Sequence, residues 1–578
     1  MPDTNPAHAP APGVAPDATG GNFYRDDSTL ADLLALRLAP DARATLSPAL
    51  DRLGGLAANR LDVLARLADA NPPELIPRDR FGRDDWRVRH HASYDEMQRL
   101  LMGEFGLHAL SHRGGVLGFS RPAPPLAKYA LQYLTATAEF GLLCPISMTD
   151  SLTRVLRLFG SPELMQRYLP GLTSQDPEAW LTGAMFMTEK AAGSDVGATE
   201  TVARQDAGVW RLTGEKWFCS NAGCDLALTL ARVSDLPGTK GLGLFLLPRR
   251  LPDGSANTWR IVRLKDKLGT RGMASGEAVL DQAVAYPVGN LARGFAQMAE
   301  MVNVSRLSNG VRAAGIMRRA WLEALNAARG RRVFGRASID FPAQRRQLLK
   351  ILLPTEQALS FALWTAETMG RADAGDAEAV RLLRLATPLL KFRACRDARK
   401  VAGDAMEVRG GCGYIEDFVE PRLLRDAHLG SIWEGTSNIV AEDAILRAVG
   451  RERAAEPFAE HMVEMLANAP LAAAAPAAEA MRRAASFAED AVAEPLLHRS
   501  AASALYRAAC ACLFVAEGAA IAADRGDARR LLLARLTLDT QLASRDPMAM
   551  GDLDSEAALA EVLLGQAPLA LEAALALS

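Results

Sequence analysis

Glu434 stands in the run Ser431-Ile432-Trp433-Glu434-Gly435-Thr436-Ser437-Asn438-Ile439, between an aromatic residue and a glycine. Gly435 lets the backbone bend and aim the carboxylate. Thr436 or Ser437 is placed to cap a following helix. Two effects act on such a carboxylate in opposite directions. A helix N-terminus favours the ionised form by roughly 0.3–1 kcal/mol. Burial beside Trp433 and a bound ligand disfavours it and raises its pKa. If burial prevails, the group is a base suited to taking a proton from carbon. Taken alone, the same glutamate reads as a first-turn carboxylate that serves the helix dipole.

Two further segments offer polar groups to a planar ligand. Met187-Thr188-Glu189-Lys190-Ala191-Ala192-Gly193-Ser194-Asp195 leaves a predicted strand and carries small residues and two hydroxyls. Its hydroxyls and backbone N–H groups can meet a polar ring; on its own it reads as a β-turn with a glycine and an Asx cap. In Lys216-Trp217-Phe218-Cys219-Ser220-Asn221, Phe218 and Ser220 share one face of a strand. A ring beside a hydroxyl donor suits a flavin. On its own the pair reads as a core phenylalanine next to a surface serine.

The elements that must hold these residues follow from periodicity. From about Leu30 to Leu181 the pattern is helical, broken at Pro72-Pro73 and resuming near Ser93; Ser161 and Glu163 open a capped helix. Between about Thr182 and Gly289 the period becomes two. VWRLTGEKWFCSN alternates around an expected Thr213-Gly214 turn, and LALTLARV and GLGLFLLPR read as buried strands. Helical patterns return from Gly294 to Gly450, and 451–578 is helical and Ala-rich, with breaks at Pro470, Pro476, Pro495 and Asp546-Pro547. The expected fold class is therefore α+β and multidomain. A disordered Pro/Ala/Gly tail (1–22) precedes an N-terminal helical domain (23–181) and a β domain (182–289). A helical bundle carrying Glu434 (290–450) and an extra C-terminal helical domain (451–578) follow.

At 578 residues the chain is too long for one core, and a net charge of −2 exerts no global pull toward nucleic acid or anionic lipid. Seven cysteines are scattered without a CxxC pair or a Cys/His cluster, so no metal is expected and free buried thiols in a reducing compartment are. No uninterrupted apolar run is read as spanning a bilayer. The N-terminus lacks the basic and apolar segments of a targeting peptide, so the expected location is the cytoplasm.

Together, the order and spacing of the three segments resemble the acyl-CoA dehydrogenases. Arg331-Arg332-Val333-Phe334-Gly335 is similar to the family's R-x-x-F-G. Arg409-Gly410-Gly411-Cys412-Gly413-Tyr414 is similar to its GG-x-G-[FY] turn, and Pro421-Arg422-Leu423-Leu424-Arg425-Asp426 precedes the glutamate as it does there. This likeness covers about residues 90–450. NPPELIPRD, GLLCPISMT at 141–149, RLKDKLGTRGMAS at 263–275, SIWEGTSN and the long C-terminal extension are similar to the AidB branch. That branch combines a flavin-bearing dehydrogenase body with a DNA-binding role.

The resemblance implies FAD as cofactor, an acyl-CoA as substrate, a separate electron acceptor and a homotetramer. It implies that Met187, Thr188 and Ser194 bind the flavin or its pyrophosphate, that Phe218 lies against the ring and that Ser220 bonds near N5. It further implies that Thr436 and Asn438 hold the phosphate or ribitol end. Arg331, Phe334, Gly410 and Gly411 would meet the adenine half of FAD from a neighbouring subunit. Three positions depart from the family pattern. Ile339-Asp340-Phe341-Pro342 stands where most members have a glutamine, and Trp433 replaces the commoner tyrosine. Ser305 occupies the place from which some branches supply the base, which leaves Glu434, with Arg306 beside Ser305 either shaping the site or pairing within its helix.

The implied activity is α,β-dehydrogenation of an acyl-CoA thioester. The rivals are a DNA-binding, alkylation-response flavoprotein with vestigial dehydrogenase activity, and a flavin oxidase or monooxygenase on the same fold. For DNA, residues 451–578 hold 11 Arg and no Lys against 11 Glu and 7 Asp, a net charge of −7. Asp524 and Asp527 interleave with Arg525, Arg529 and Arg530. Self-paired charge and weak, salt-sensitive DNA binding are therefore expected.

Overall fold

The computed structural model describes residues 11 and 13–577 except 545, 547, 550 and 566. Half of the expected disordered tail (1–10 and 12) and Pro547 of the expected break lie outside the described residues. The chain forms two compact units, one from residues 44–52 and 59–308, the other from residues 1–43, 53–58 and 309–578.

The N-terminal third supplies α1 (Ser28–Arg37), α2 (Pro40–Ala57), α3 (Arg60–Ala70), the strands β1 (Glu74–Arg78) and β2 (Asp84–Arg89), and then α4 (Ala92–Gln98), α5 (Pro125–Ala136), α6 (Leu143–Phe159) and α7 (Pro162–Leu172). The Ser161 hydroxyl accepts from the Leu164 N–H and caps α7. The β1–β2 hairpin fills the break expected between Pro72-Pro73 and Ser93, where no strand was anticipated. Its reason is packing: Leu75, Trp86 and Val88 lie against the β-domain core, and the Trp86 indole N–H donates to the Trp259 carbonyl at 2.9 Å. Alternation at Trp86 and Val88 marks the strand between the helical patterns on either side.

β3 (Gly183–Phe186), β4 (Val202–Asp206), β5 (Val209–Ser220), β6 (Leu226–Arg232), β7 (Leu242–Pro248), β8 (Trp259–Leu264) and β9 (Ser275–Pro287) form one sheet. Strands β6, β4, β5, β9 and β7 pair in a closed ring; β3 adds beside β6 and β8 beside β9. Closure removes most exposed edges, and Phe186, Leu212, Phe245, Leu247, Trp259 and Ile261 fill the core. The expected turn at Thr213-Gly214 is not there. β5 runs through both residues, and the β4–β5 connection is made by Ala207 and Gly208 at φ 46° and 83°. Gly214 instead sits at a bulge against β9, where a Cβ would come within 2.5 Å of the Thr201 hydroxyl.

The second unit is built on three long helices: α8 (Gly294–Gly330), whose first turns belong to the other unit, α9 (Pro342–Asp373) and α10 (Ala377–Arg409). The two-residue strands β10 (Arg332–Val333) and β11 (Arg336–Ala337) lie between α8 and α9, and α11 (Glu420–Gly430) and α12 (Ser437–Glu442) complete the bundle. The extension adds α13 (Ala455–Glu464), α14 (Leu471–Asp490), α15 (His498–Arg525), α16 (Arg529–Thr537), α17 (Leu553–Leu564) and α18 (Leu571–Leu577). Contrary to expectation, Pro495–Arg525 is long and apolar enough by composition to cross a membrane, yet 72% of its most apolar window is buried inside the protein. It is a core helix of this unit.

A chain of alternating charges fastens the extension to the bundle. Arg530 bonds Glu517 (2.7 Å) and Glu356 (3.0 Å), Arg318 bonds Glu356 (2.7 Å) and Asp27 (3.1 Å), and Arg37 bonds Glu517 (2.6 Å). Residues 15–18, expected within the disordered tail, are also held here. The Ala18 N–H donates to Glu323 (3.1 Å) and the Arg409 guanidinium reaches the Ala15 carbonyl (3.3 Å).

Candidate active site

In the first unit, the loop after β3 folds on itself through paired backbone bonds between Glu189 and Ala192 (2.9 and 3.2 Å). Asp195 caps the next turn by accepting from the Gly197 N–H. The turn and Asx cap read from sequence are thus both present, and they present Thr188 and Ser194. The Glu189 carboxylate fastens the loop underneath, accepting from Lys216 (2.5 Å), the Thr201 hydroxyl (2.6 Å) and the Glu200 N–H (2.6 Å). Burial pushes the Glu189 pKa up, but Lys216 and these hydrogen bonds outweigh it and hold it below the usual carboxylate range. The Trp217 N–H donates to the Thr188 carbonyl at 2.7 Å, which ties Met187–Ser194 to β5.

A bulge between Lys216 and Cys219 sets the β5 side chains. The extra residue turns Lys216 and Cys219 inward and leaves Phe218 52% exposed, although it is part of the barrel. Ser220 shares that strand end; its hydroxyl lies 3.4 Å from the Ser275 hydroxyl, which receives Lys267 at 3.3 Å. The Lys265 ammonium sits 3.3 Å from the Trp217 ring centroid and 4.7 Å from that of Phe218. Lys265, Lys267 and Ser275 were not singled out from sequence, although RLKDKLGTRGMAS contains all three.

In the second unit, Glu434 lies on the turn between α11 and α12 at φ 57°, followed by Gly435 at φ 96°. A left-handed glutamate costs roughly 1–2 kcal/mol, and its neighbours hold it there. The Lys391 ammonium donates to the Gly435 carbonyl, and the Trp433 N–H donates to the Leu429 carbonyl at 3.3 Å. Thr436 occupies the cap position of α12 without a side-chain bond into the helix, which leaves its hydroxyl available; Asn438 is exposed on the first turn. Glu434, Thr436 and Asn438 therefore lie together on one turn and the helix start that follows it.

Arg331, Phe334, Gly410 and Gly411 form another. Phe334 and Gly335, at φ 48° and 83°, make the β10–β11 turn, and Phe334 is 97% exposed. The Arg331 guanidinium lies so close to Gly410 that a Cβ there would meet its Nη1 at 2.9 Å, while Gly411 faces open space. Asp340 accepts from the Ala337 N–H and Pro342 begins α9, so the Asp340–Pro342 departure is a local helix start. Ser305 is buried on α8 and Arg306 is almost fully buried.

These features fit a flavin dinucleotide. In the first unit Phe218 offers a half-exposed ring two residues from the Ser220 hydroxyl, and in the second unit Gly411 leaves open space beside the Arg331–Gly410 pair.

Comparison with known proteins decides the family. Residues 14–178 match the adaptive response protein AidB N-terminal domain, 184–283 the acyl-CoA dehydrogenase middle domain and 292–450 the acyl-CoA dehydrogenase C-terminal domain. Acyl-CoA dehydrogenase family member 11 of Caenorhabditis elegans is 34% identical over 77% of this chain and 74% of its own. The chain belongs to the acyl-CoA dehydrogenase family. It is an AidB-like oxidoreductase within it, 35% identical to AidB of Escherichia coli (strain K12) over 67% of this chain and 71% of that one. The crystal structure of C. elegans ACDH-11 in complex with C11-CoA superposes with a TM-score of 0.84 at 29% identity, covering 93% of this chain and 95% of that one.

Proposed function

We propose that the protein carries out α,β-dehydrogenation of an acyl-CoA thioester with FAD as its cofactor and Glu434 as the base that removes the α-proton. The observation that carries this reading is the left-handed Glu434–Gly435 turn, which projects a carboxylate at a cost its neighbours must offset. Bound FAD would accept the hydride from the β-carbon. The chain's own residues bind and orient. Met187, Thr188 and Ser194 supply loop contacts, Phe218 supplies a flat face and Ser220 a hydroxyl near the ring. Thr436 and Asn438 hold the polar tail. Polar donors around the thioester carbonyl, the Glu434 N–H among them, stabilise charge that develops as the proton leaves. Phe334, Tyr414 and Ile415 are 97%, 80% and 46% exposed, an apolar surface suited to a neighbouring subunit that shares the Arg331–Gly410 group. This supports a contact between subunits, as the proposed homotetramer requires.

The AidB N-terminal match keeps the DNA-binding reading as the second one. Against it, Arg525 pairs with Asp32, Arg529 pairs with Asp527, and Arg530 is buried.

Exchange of the substrate α-proton in deuterated water tests the first reading. Glu434→Gln, nearly isosteric, is expected to retain FAD and to lower exchange by about 10²–10⁴-fold. Undiminished exchange would assign the proton to another base.

A further inference from the structure

Two rows of arginines face each other in the second unit. On α10, Arg393, Arg396 and Arg399 recur at one-turn spacing; on α15, Arg499, Ser503 and Arg507 do the same. Hydrogen bonds fix the placement. Arg393 donates to the Ser503 hydroxyl at 3.4 Å, and that hydroxyl donates to the Arg499 carbonyl at 2.7 Å. Arg399 donates to the Ser431 hydroxyl at 3.2 Å and Arg499 to the Asn438 side-chain oxygen at 3.4 Å. The rows therefore run alongside the Ser431–Asn438 turn and touch both of its ends.

The cations are poorly neutralised. Asp397 is ion-paired to Arg393. Arg396 is ion-paired to no described residue; its guanidinium lies 6.0 Å from the Phe392 ring. Burial, then Arg499, Arg393 and Arg399, push its pKa down. Arg499 is exposed and, among the described residues, its guanidinium makes one long bond, to the Asn438 amide oxygen. Like charges held together in this way are relieved by a bound anion, and planar guanidiniums match phosphate oxygens in pairs.

We propose that Arg396 and Arg499 bind the diphosphate of an ADP-containing ligand that lies along the Ser431–Asn438 turn. The proposal rests on the functional reading above, which supplies two such ligands, FAD and the CoA thioester. Arg499 lies beyond residue 450, outside the matched dehydrogenase domains. The C-terminal extension thereby contributes a ligand contact.

The test uses the full-length holoprotein and the Arg396→Gln, Arg499→Gln and Arg396→Lys variants. FAD affinity is read by reconstitution of the apoprotein. Dissociation constants are also measured for C11-CoA and for the same acyl chain on pantetheine, which lacks the ADP. About a tenfold loss per glutamine variant is expected for one ligand, with Arg396→Lys retaining part of the affinity. A loss in FAD affinity alone assigns the diphosphate to the cofactor. A loss for C11-CoA but not for the pantetheine thioester assigns it to CoA. Unchanged affinities for both in variants with wild-type unfolding curves would overturn the proposal, as would a loss that includes the pantetheine thioester. A protein that binds FAD through these arginines yet exchanges no α-proton would refute the dehydrogenase reading and leave this site standing.

Discussion

The guanidinium of Arg312, fully buried on α8, lies 4.9 Å from the ring centroid of Trp433, the residue before Glu434. It also donates to Asn309 at 3.0 Å. A desolvated cation over an indole is worth about 2 kcal/mol, and here it fixes one wall of the turn that aims the base. Arg312→Met is expected to keep FAD, to shift the tryptophan fluorescence and to lower α-proton exchange by about tenfold. Exchange at the wild-type rate would show that Trp433 has no part in placing Glu434.

Gly435 makes a second, independent demand on the same turn. At φ 96° an alanine is strained by roughly 1–2 kcal/mol, and the Gly435 carbonyl must still receive Lys391. Gly435→Ala should therefore cost activity more than it costs cofactor. The measurement is kcat beside the FAD content of the purified protein. Full activity with full FAD would mean that the turn relaxes at no cost.

The extension's charges predict opposite outcomes for neighbouring arginines. Removing Arg530 leaves the buried Glu517 and Glu356 with one guanidinium each, Arg37 and Arg318, and takes one positive charge out of a buried network, a loss of up to about 3–5 kcal/mol. Removing Arg525, 47% exposed in its pair with Asp32, should cost at most about 1 kcal/mol. Limited proteolysis of Arg530→Met and Arg525→Ala separates them: the first should release extension fragments early, the second should not. Neither should alter DNA retention at about 0.15 M salt, where surface charge is largely screened. Tight binding there that Arg525→Ala weakens would favour the DNA reading.

What the sequence disclosed follows the range of each interaction. The change to period two near Thr182 and the residues of the Glu434 turn are local, and both were readable. The β4–β5 turn was misplaced because Gly214 resembles a turn glycine, while its role depends on Thr201, which lies beside it immediately before the paired strand β4. The β1–β2 hairpin depends on Trp259, more than a hundred residues away. Lys391, which steadies Gly435, is 44 residues distant and carries no local signature. The apolar α15 is a core helix because α9, α10 and α14 cover it, a fact of tertiary packing alone.

Acid stability of the first unit should begin to fail well above the carboxylate range. Burial pushes His90 down to about 4 and His108 down to about 4, from an ordinary value of 6.5. Both are therefore neutral in the folded protein at pH 6, when the unfolded chain has begun to take up protons. A histidine with a depressed folded pKa contributes stability that is present above pH 6.5 and is lost as the pH falls toward 4, on the order of 3 kcal/mol each. Asp150 acts in a lower window. Burial raises its pKa, but Lys128 and His112 outweigh burial and hold it at about 2, so its contribution persists to about pH 4 and drains below. His108 donates from Nε2 to the Ser174 carbonyl at 2.8 Å, a bond that a glutamine amide can replace. In denaturant titrations between pH 4 and 7, His108→Gln should flatten the stability slope without abolishing the fold, and Asp150→Asn should leave that slope intact. A slope unchanged in His108→Gln would mean that the folded imidazole already carries its proton at pH 6.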